Sequence, residues 1–362
     1  MNLSFLIERL GEGGTALVIG LAVGILFGFF AQRSRFCLRA ATIEFARGTF
    51  GGRLAVWLFV FAGAVTGTQL LILTGLFDTS NVRMLNSRGS LSGAIIGGAM
   101  FGAGMILARG CSSRLLVLAA NGNLRSLLSG LVFAVTAQAS LRGVLSPFRD
   151  GLAGLWTVDA SRADVLADLG LGPAGGLAIA LVWLSAAVYF GISSRISRWG
   201  WVGGLGVGLA ITLAWYLTYA LSAQAFDPAP IKSMTFTGPS ATMLMLALSP
   251  PGSIIDFDTG LIPGVFIGSL LAGAIAGELK LEGFEGGPAM RRYLLGAVLM
   301  GFGGMLAGGC AVGSVSGGSV FALTAWVTLV SMWAAASATD YLLDRPEPSL
   351  LAVGRPTSPV AP

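Results

Sequence analysis

The run GGAMFGAGMILARGC, residues 97–111, is echoed by GAVLMGFGGMLAGGC, residues 296–310. At a constant offset of 199 residues, Gly97, Gly102, Gly104, Leu107, Ala108, Gly110 and Cys111 meet Gly296, Gly301, Gly303, Leu306, Ala307, Gly309 and Cys310. Seven identities in fifteen positions, ending on the same Gly-Cys, exceed coincidence, and such a repeat constrains the whole architecture. A weaker correspondence lies upstream in each half. QRSRFCLRAAT, containing Cys37, can be laid over KSMTFTGPSAT, so that Phe36, Ala41 and Thr42 meet Phe236, Ala241 and Thr242, and Thr237 stands in the place of Cys37.

Composition says what surrounds these halves. Of 362 residues 54% are hydrophobic, 11% are charged and none is histidine, whereas soluble domains carry about 25% charged residues. Such a chain needs lipid. Its 54 glycines suit membrane helices, in which close backbone approach and helix breaks are both common. The net charge of +5 reads as loop arginines that set orientation, and a nucleic-acid surface is not expected. Three cysteines without a CxxC pair argue against a disulfide framework or a zinc cluster. With no histidine, neither a metal site, a cofactor nor a His-assisted nucleophile is expected.

Apolar runs of membrane length lie near 15–31, 54–76, 91–107, 126–145, 173–192, 200–222, 263–279, 293–307 and 318–339. The expected fold is therefore an all-α integral membrane protein of about nine transmembrane helices. Residues 1–14 read as an interfacial segment, 15–145 as the first repeat, 146–199 as a linker with a connecting span, 200–340 as the second repeat and 341–362 as a disordered tail. Counted in order, the spans put Arg33, Arg35, Arg39, Arg47, Arg53, Arg195, Arg198, Arg291 and Arg292 on one side. The positive-inside rule makes that side cytoplasmic, with the N-terminus periplasmic and the C-terminus inside. Four spans per half with a fifth between them start the second half from the opposite side, an inverted-topology repeat with short re-entrant helices.

Each Gly-Cys ends an apolar run and is followed by small polar residues, CSSRLLVLAANGN and CAVGSVSGGS. This reads as a helix broken within the membrane, which is tolerated only where protein covers the freed backbone or a cavity is lined. Half-helix N-termini aimed into such a cavity offer N–H groups and a positive dipole end to an anion. A single buried Cys is most often apolar filler. Two at matched breaks, each after Gly110 or Gly309, with Cys37 in the related upstream element, point instead to a lined pathway. A thiol is soft, polarizable and a weak hydrogen-bond donor and acceptor. It suits a sulfur-bearing anion better than a hard, strongly hydrated one.

Arg109 could attract anions at one mouth or snorkel to headgroups, and Lys232 is open to the same two readings. Ser112, Ser113, Thr237, Ser314 and Ser316 could donate to a dianion or bond their own helix backbone. Two alternatives remain. One is a channel or exporter for another small anion, such as a selenium compound, sulfite or a halide. The other is a membrane thiol enzyme that forms a persulfide, for which Arg109 beside Cys111 is the candidate activating cation. No span carries an evident Asp or Glu proton relay, so facilitated passage is expected.

With RSRFCLRAA around Cys37, GAGMILARGC around Cys111 and GFGGMLAGGCAVGSVSG around Cys310, the chain resembles the YeeE/YedE family of prokaryotic sulfur transporters. The resemblance extends from about Thr15 to about Tyr341. It implies inverted helical halves in a prokaryotic inner membrane and thiosulfate as substrate. It further implies three thiols, carried over to Cys37, Cys111 and Cys310, that touch the passing anion through S–H···S bonds. A small cytoplasmic sulfur carrier similar to the TusA group is the implied partner. Arg114 departs from the family pattern, in which a small residue is expected.

Overall fold

The computed structural model describes residues 3–344 apart from 227–228, 251–254 and 285. The first half comprises α1 (Ser4–Ser34), α2 (Leu38–Ala46), α3 (Gly52–Leu73), the single turn α4 (Arg83–Asn86), α5 (Leu91–Leu107), α6 (Ser112–Ala120) and α7 (Leu124–Arg142). A connection with α8 (Ser146–Gly154) and α9 (Val165–Asp168) leads into the long α10 (Pro173–Ser193). The second half comprises α11 (Arg198–Ser222), α12 (Thr237–Leu248), α13 (Phe257–Ala276), α14 (Gly287–Leu306), α15 (Ala311–Ser319) and α16 (Leu323–Leu343). The two-residue strands Gly89–Ser90 and Thr157–Val158 pair antiparallel and pin the connection to the start of α5.

Among the described residues eight helices, α1, α3, α5, α7, α10, α11, α13 and α14, are long and apolar enough to cross a bilayer. The ninth expected run, 318–339, is found as α16, which starts only at Leu323 because residues 311–319 form the separate helix α15. Carrying Asp340 and several hydroxyl side chains, α16 falls outside that apolar set. The expected interfacial segment 1–14 and the first span share α1, which begins at Ser4 and is interrupted at Gly11, where φ 71° and ψ 175° leave the helical region. Of the expected tail, Tyr341–Leu343 still belong to α16, and 345–362 lie outside the described residues.

Glycine sets the closest helix contacts. Gly20, Gly24 and Gly28 of α1 face the backbone of α13, and Gly260, Gly264 and Gly268 of α13 face that of α1, so the two rows of small residues interlock. Lipid is as apolar as a helix surface, so helices in a membrane associate through close van der Waals fit, and small residues at every fourth position permit it. The contact between α5 and α14 is antiparallel: Gly97 lies on Gly303, and Gly104 on Gly296. In the repeat Gly97 corresponds to Gly296 and Gly104 to Gly303, so these are one contact seen from either half. The same exchange relates other pairs. α1 packs on α13 as α11 packs on α3, and α7 packs on α14 as α16 packs on α5.

Six of the arginines expected on one side gather at one end of the bundle: Arg33, Arg35 and Arg53 line one cavity, and Arg39, Arg47 and Arg292 reach Asp340 and Asp344. Arg47 donates from Nε and a terminal nitrogen, at 2.9 and 2.8 Å, to the two oxygens of Asp340, whose side chain is 2% exposed. Arg292 pairs with Asp344 at 2.7 Å, and Arg35 with Glu278 at 3.2 Å. Asp340 is a buried carboxylate in a long helix, but its bidentate bond to Arg47 makes it a structural pair at this end. Replacing Arg47 with Ala strands that carboxylate. The expected cost is about 2–3 kcal/mol, below the 3–5 kcal/mol typical of a fully buried pair because Arg47 is 34% exposed. Thermal unfolding in detergent measures it, and adding Asp340→Ala should recover most of the loss.

Candidate functional site

Three helices of nine residues each, α2, α6 and α15, have a cysteine as N-cap: Cys37, Cys111 and Cys310. None of the three has a side-chain cap hydrogen bond, while the Cys37 and Cys111 sulfurs lie against the Ala40 and Arg114 N–H groups; the N–H groups ahead of these, which helix geometry leaves without internal partners, are available to a ligand. Each helix then runs outward to a loop. α6 ends at Asn121, whose carbonyl accepts from Lys280 N–H at 3.2 Å, and α15 ends beside Phe321, whose carbonyl accepts from Val165 N–H at 3.1 Å. Their cysteine ends therefore point inward. Thr237, which replaces Cys37 in the second half, is the first residue of α12.

The turns before the two matched cysteines share one conformation. α5 and α14 both end in an alanine C-cap followed by a left-handed residue, Arg109 with φ 55° and Gly308 with φ 78°. The conformation costs a non-glycine residue about 1–2 kcal/mol, and Arg109 bears it. The close turn thus falls one residue before Gly110 and Gly309, which are buried but would accept a Cβ at ordinary or slightly tight distances.

The thiols are not one cluster. Cys37 and Cys111 are neighbouring thiols, and Cys111 lies 3.4 Å from Ser113 Oγ. Cys111 and Cys310 are fully buried, and Cys37 is partly exposed. In the second half Phe236 N–H donates to Cys310 Sγ at 3.2 Å, with Thr235 Oγ1 3.6 Å away. Buried aromatic rings link the two places, with Phe27 packing at 6.4 Å from Phe36 and 5.1 Å from Phe236.

Two hydroxyls singled out in the sequence, Ser112 Oγ and Thr237 Oγ1, are buried without a hydrogen-bond partner among the described residues. An unmade hydrogen bond at a buried hydroxyl costs about 1–3 kcal/mol, and a donor left in that state beside open helix ends is suited to a transient ligand. Ser314 instead bonds its own helix at the Cys310 carbonyl, 3.1 Å away. The Ser316 carbonyl accepts from Trp215 Nε1 at 3.3 Å. Arg109 is exposed and lies over the Tyr293 ring, 5.8 Å from its centroid. Lys232 is engaged by Asp258 at 2.9 Å and Asp256 at 3.2 Å. Burial by itself pulls the Lys232 ammonium down, and the two carboxylates more than reverse this and hold it above its ordinary value.

Some polar groups near the site were not singled out from the sequence. Thr235 and Phe236 reach Cys310 only through the fold. Gln32 and Gln69 carried a usable signal, an amide in the last turns of an apolar helix. Gln32 is 5% exposed and bridges Glu278, and Gln69 is 1% exposed and donates to the Ser319 carbonyl at 2.8 Å.

Membrane-length helices that enclose short inner helices, each beginning at a buried or partly buried thiol, define a multi-pass α-helical membrane protein of transporter type. Residues 33–338 match the Sulf_transp family, described as Sulphur transport, and the chain belongs to that family. Among curated relatives, the thiosulfate transporter TsuA of Spirochaeta thermophila is 28% identical over 326 residues, covering 86% of this chain and 94% of its own. The thiosulfate transporter TsuA of Escherichia coli K12 is 26% identical over 318 residues, covering 82% of this chain and 86% of its own.

Proposed function

We propose that the chain carries thiosulfate, or a closely related small sulfur-containing anion, across the inner membrane into the cytoplasm. Cys37, Cys111 and Cys310 pass it along through S–H···S hydrogen bonds. The observation that carries this reading is the placement of all three thiols as N-caps of short inward-starting helices. There the soft sulfur of the anion meets a thiol while its oxygens meet helix N–H groups and the unpartnered hydroxyls of Ser112 and Thr237. Each such contact is weak enough to release the anion to the next, as passage requires. The relatives' names supply the substrate, and the exchange symmetry of the α5–α14 contact supports two inverted-topology halves.

The arginine-rich end is read as cytoplasmic, with the N-terminus periplasmic and the C-terminus inside. A small soluble sulfur carrier similar to the TusA group would receive the sulfur there. The deciding experiment is uptake of radiolabelled thiosulfate into proteoliposomes, with sulfate and sulfite as competitors. Saturable uptake that excess sulfate barely slows is the expected result, because sulfate lacks the terminal sulfur that accepts from a thiol. Equal competition by sulfate, sulfite and halide would show that the thiols do not select the substrate.

A further inference from the structure

At the arginine-rich end a cavity of about 510 Å³ leads inward. Its rim carries Arg35, Glu278, Lys280 and Glu282, and deeper in lie Gln32 and Arg114. Arg114 is one turn beyond Cys111 on α6. It lies within Coulombic range of the Cys37 and Cys111 thiols on one side and of Arg35 and Arg53 on the other. Four basic residues, Arg35, Arg53, Arg114 and Lys280, face two acidic ones, Glu278 and Glu282. The cavity therefore carries a surplus of two positive charges, the charge that one dianion neutralises.

Arg114, the deeper cation, differs from Arg35 and Arg53 in how it is held. Arg35 is tied to Glu278 Oε1 at 3.2 Å, while Arg53 donates to the Arg35 carbonyl at 3.3 Å. Arg114 makes one long hydrogen bond, 3.4 Å from a terminal nitrogen to Gln32 Oε1, and Gln32 spends its amide N–H on Glu278 Oε2 at 2.7 Å. The remaining guanidinium donors of Arg114 have no acceptor among the described residues. A guanidinium presents its donors as a planar fork that matches two oxygens of a tetrahedral oxyanion, and this residue lines the cavity one helical turn from Cys111.

We propose that this cavity is a binding station for the substrate dianion on the arginine-rich side of the Cys37–Cys111 pair. Arg114 is its principal ligand, and the Gln32–Glu278 bond holds Arg114 until the anion takes Gln32's place. The station rests on the thiosulfate reading and adds to it a charge-reading step distinct from the sulfur-reading step at the thiols. It also gives a function to the arginine that departs from the family pattern.

The test is thiosulfate uptake into proteoliposomes by the wild type, Arg114→Gln, Arg114→Lys and Glu278→Gln, with half-saturation and maximal rate read separately. Arg114→Gln should raise the half-saturation concentration by about tenfold or more, and Arg114→Lys, which keeps the charge and loses the fork, should raise it less. Glu278→Gln removes a competing negative charge and should lower it by about threefold. A merely structural fault would worsen both sites, so opposite signs are the signature. Unchanged half-saturation in Arg114→Gln, or a loss in both Arg114→Gln and Glu278→Gln, overturns the station while leaving the thiosulfate reading intact. If the wild type takes up no thiosulfate, calorimetric titration of the purified protein with thiosulfate and with sulfate tests the station alone. Saturable binding lost in Arg114→Gln supports it, and no binding overturns it.

Discussion

Thiosulfate uptake is expected to fall by on the order of tenfold or more when Cys111 or Cys310 is replaced by Ala, and by less when Cys37 is. On the proposed reading each buried thiol is a partner that the anion would lose in a place water does not reach, and an unmet polar contact there costs about 1–3 kcal/mol. Cys111 and Cys310 are fully buried and Cys37 is partly exposed, so water can replace only the last. Serine at the same positions separates softness from hydrogen bonding. If Cys111→Ser recovers uptake, a donor of any kind suffices; if it stays as slow as Cys111→Ala, the polarizable sulfur is what the pathway uses. Full-rate uptake in all three alanine variants would reduce the thiols to packing and leave the helix N-termini and hydroxyls as the anion's partners. The transport reading also bears on the persulfide alternative. A covalent adduct on either thiol, sought by mass spectrometry of protein turning over substrate, should be absent.

Replacing Gly24 with Leu should remove the folded protein from detergent extracts or lower its stability by more than about 3 kcal/mol, the upper range for overpacking. A Cβ at position 24 would come within 2.5 Å of the Leu261 carbonyl oxygen and 3.0 Å of Gly264 Cα. Those are backbone atoms, so no neighbouring side chain can turn aside. The control is Gly130→Leu on α7, where nothing lies within 4 Å of an added Cβ. That substitution should be neutral or slightly stabilising, since Leu favours helix over Gly by close to 1 kcal/mol. Size-exclusion profiles and thermal melting of the two variants side by side measure the difference. Equal behaviour would mean that the α1–α13 contact contributes little to the fold.

Much of this was legible before any coordinates. The Gly-Cys pair at 111 and 310 marked the breaks because two matched losses of helix at an offset of 199 residues have few explanations besides duplication. Six of the arginines on one side of the counted spans gather at one end because each helix must cross before the chain can turn. Boundaries were less legible where a span and a short helix adjoin. The run 318–339 merges in sequence what the fold divides at Val320–Ala322, since small residues suit both a buried short helix and a span.

The sequence by itself determined the environment, the spans and the residues at which helices break, because hydropathy and repeated glycines act locally and need no partner to be read. It also singled out Ser112 and Thr237. Only the tertiary structure decided which groups meet across the halves. It brought Cys37 beside Cys111 and set Cys310 against Phe236. It engaged Lys232 with two aspartates and left Arg114 with a single long bond to Gln32. These are contacts between residues far apart in the chain, and their distances follow from how closely the glycine rows let helices approach, which one segment's pattern does not contain.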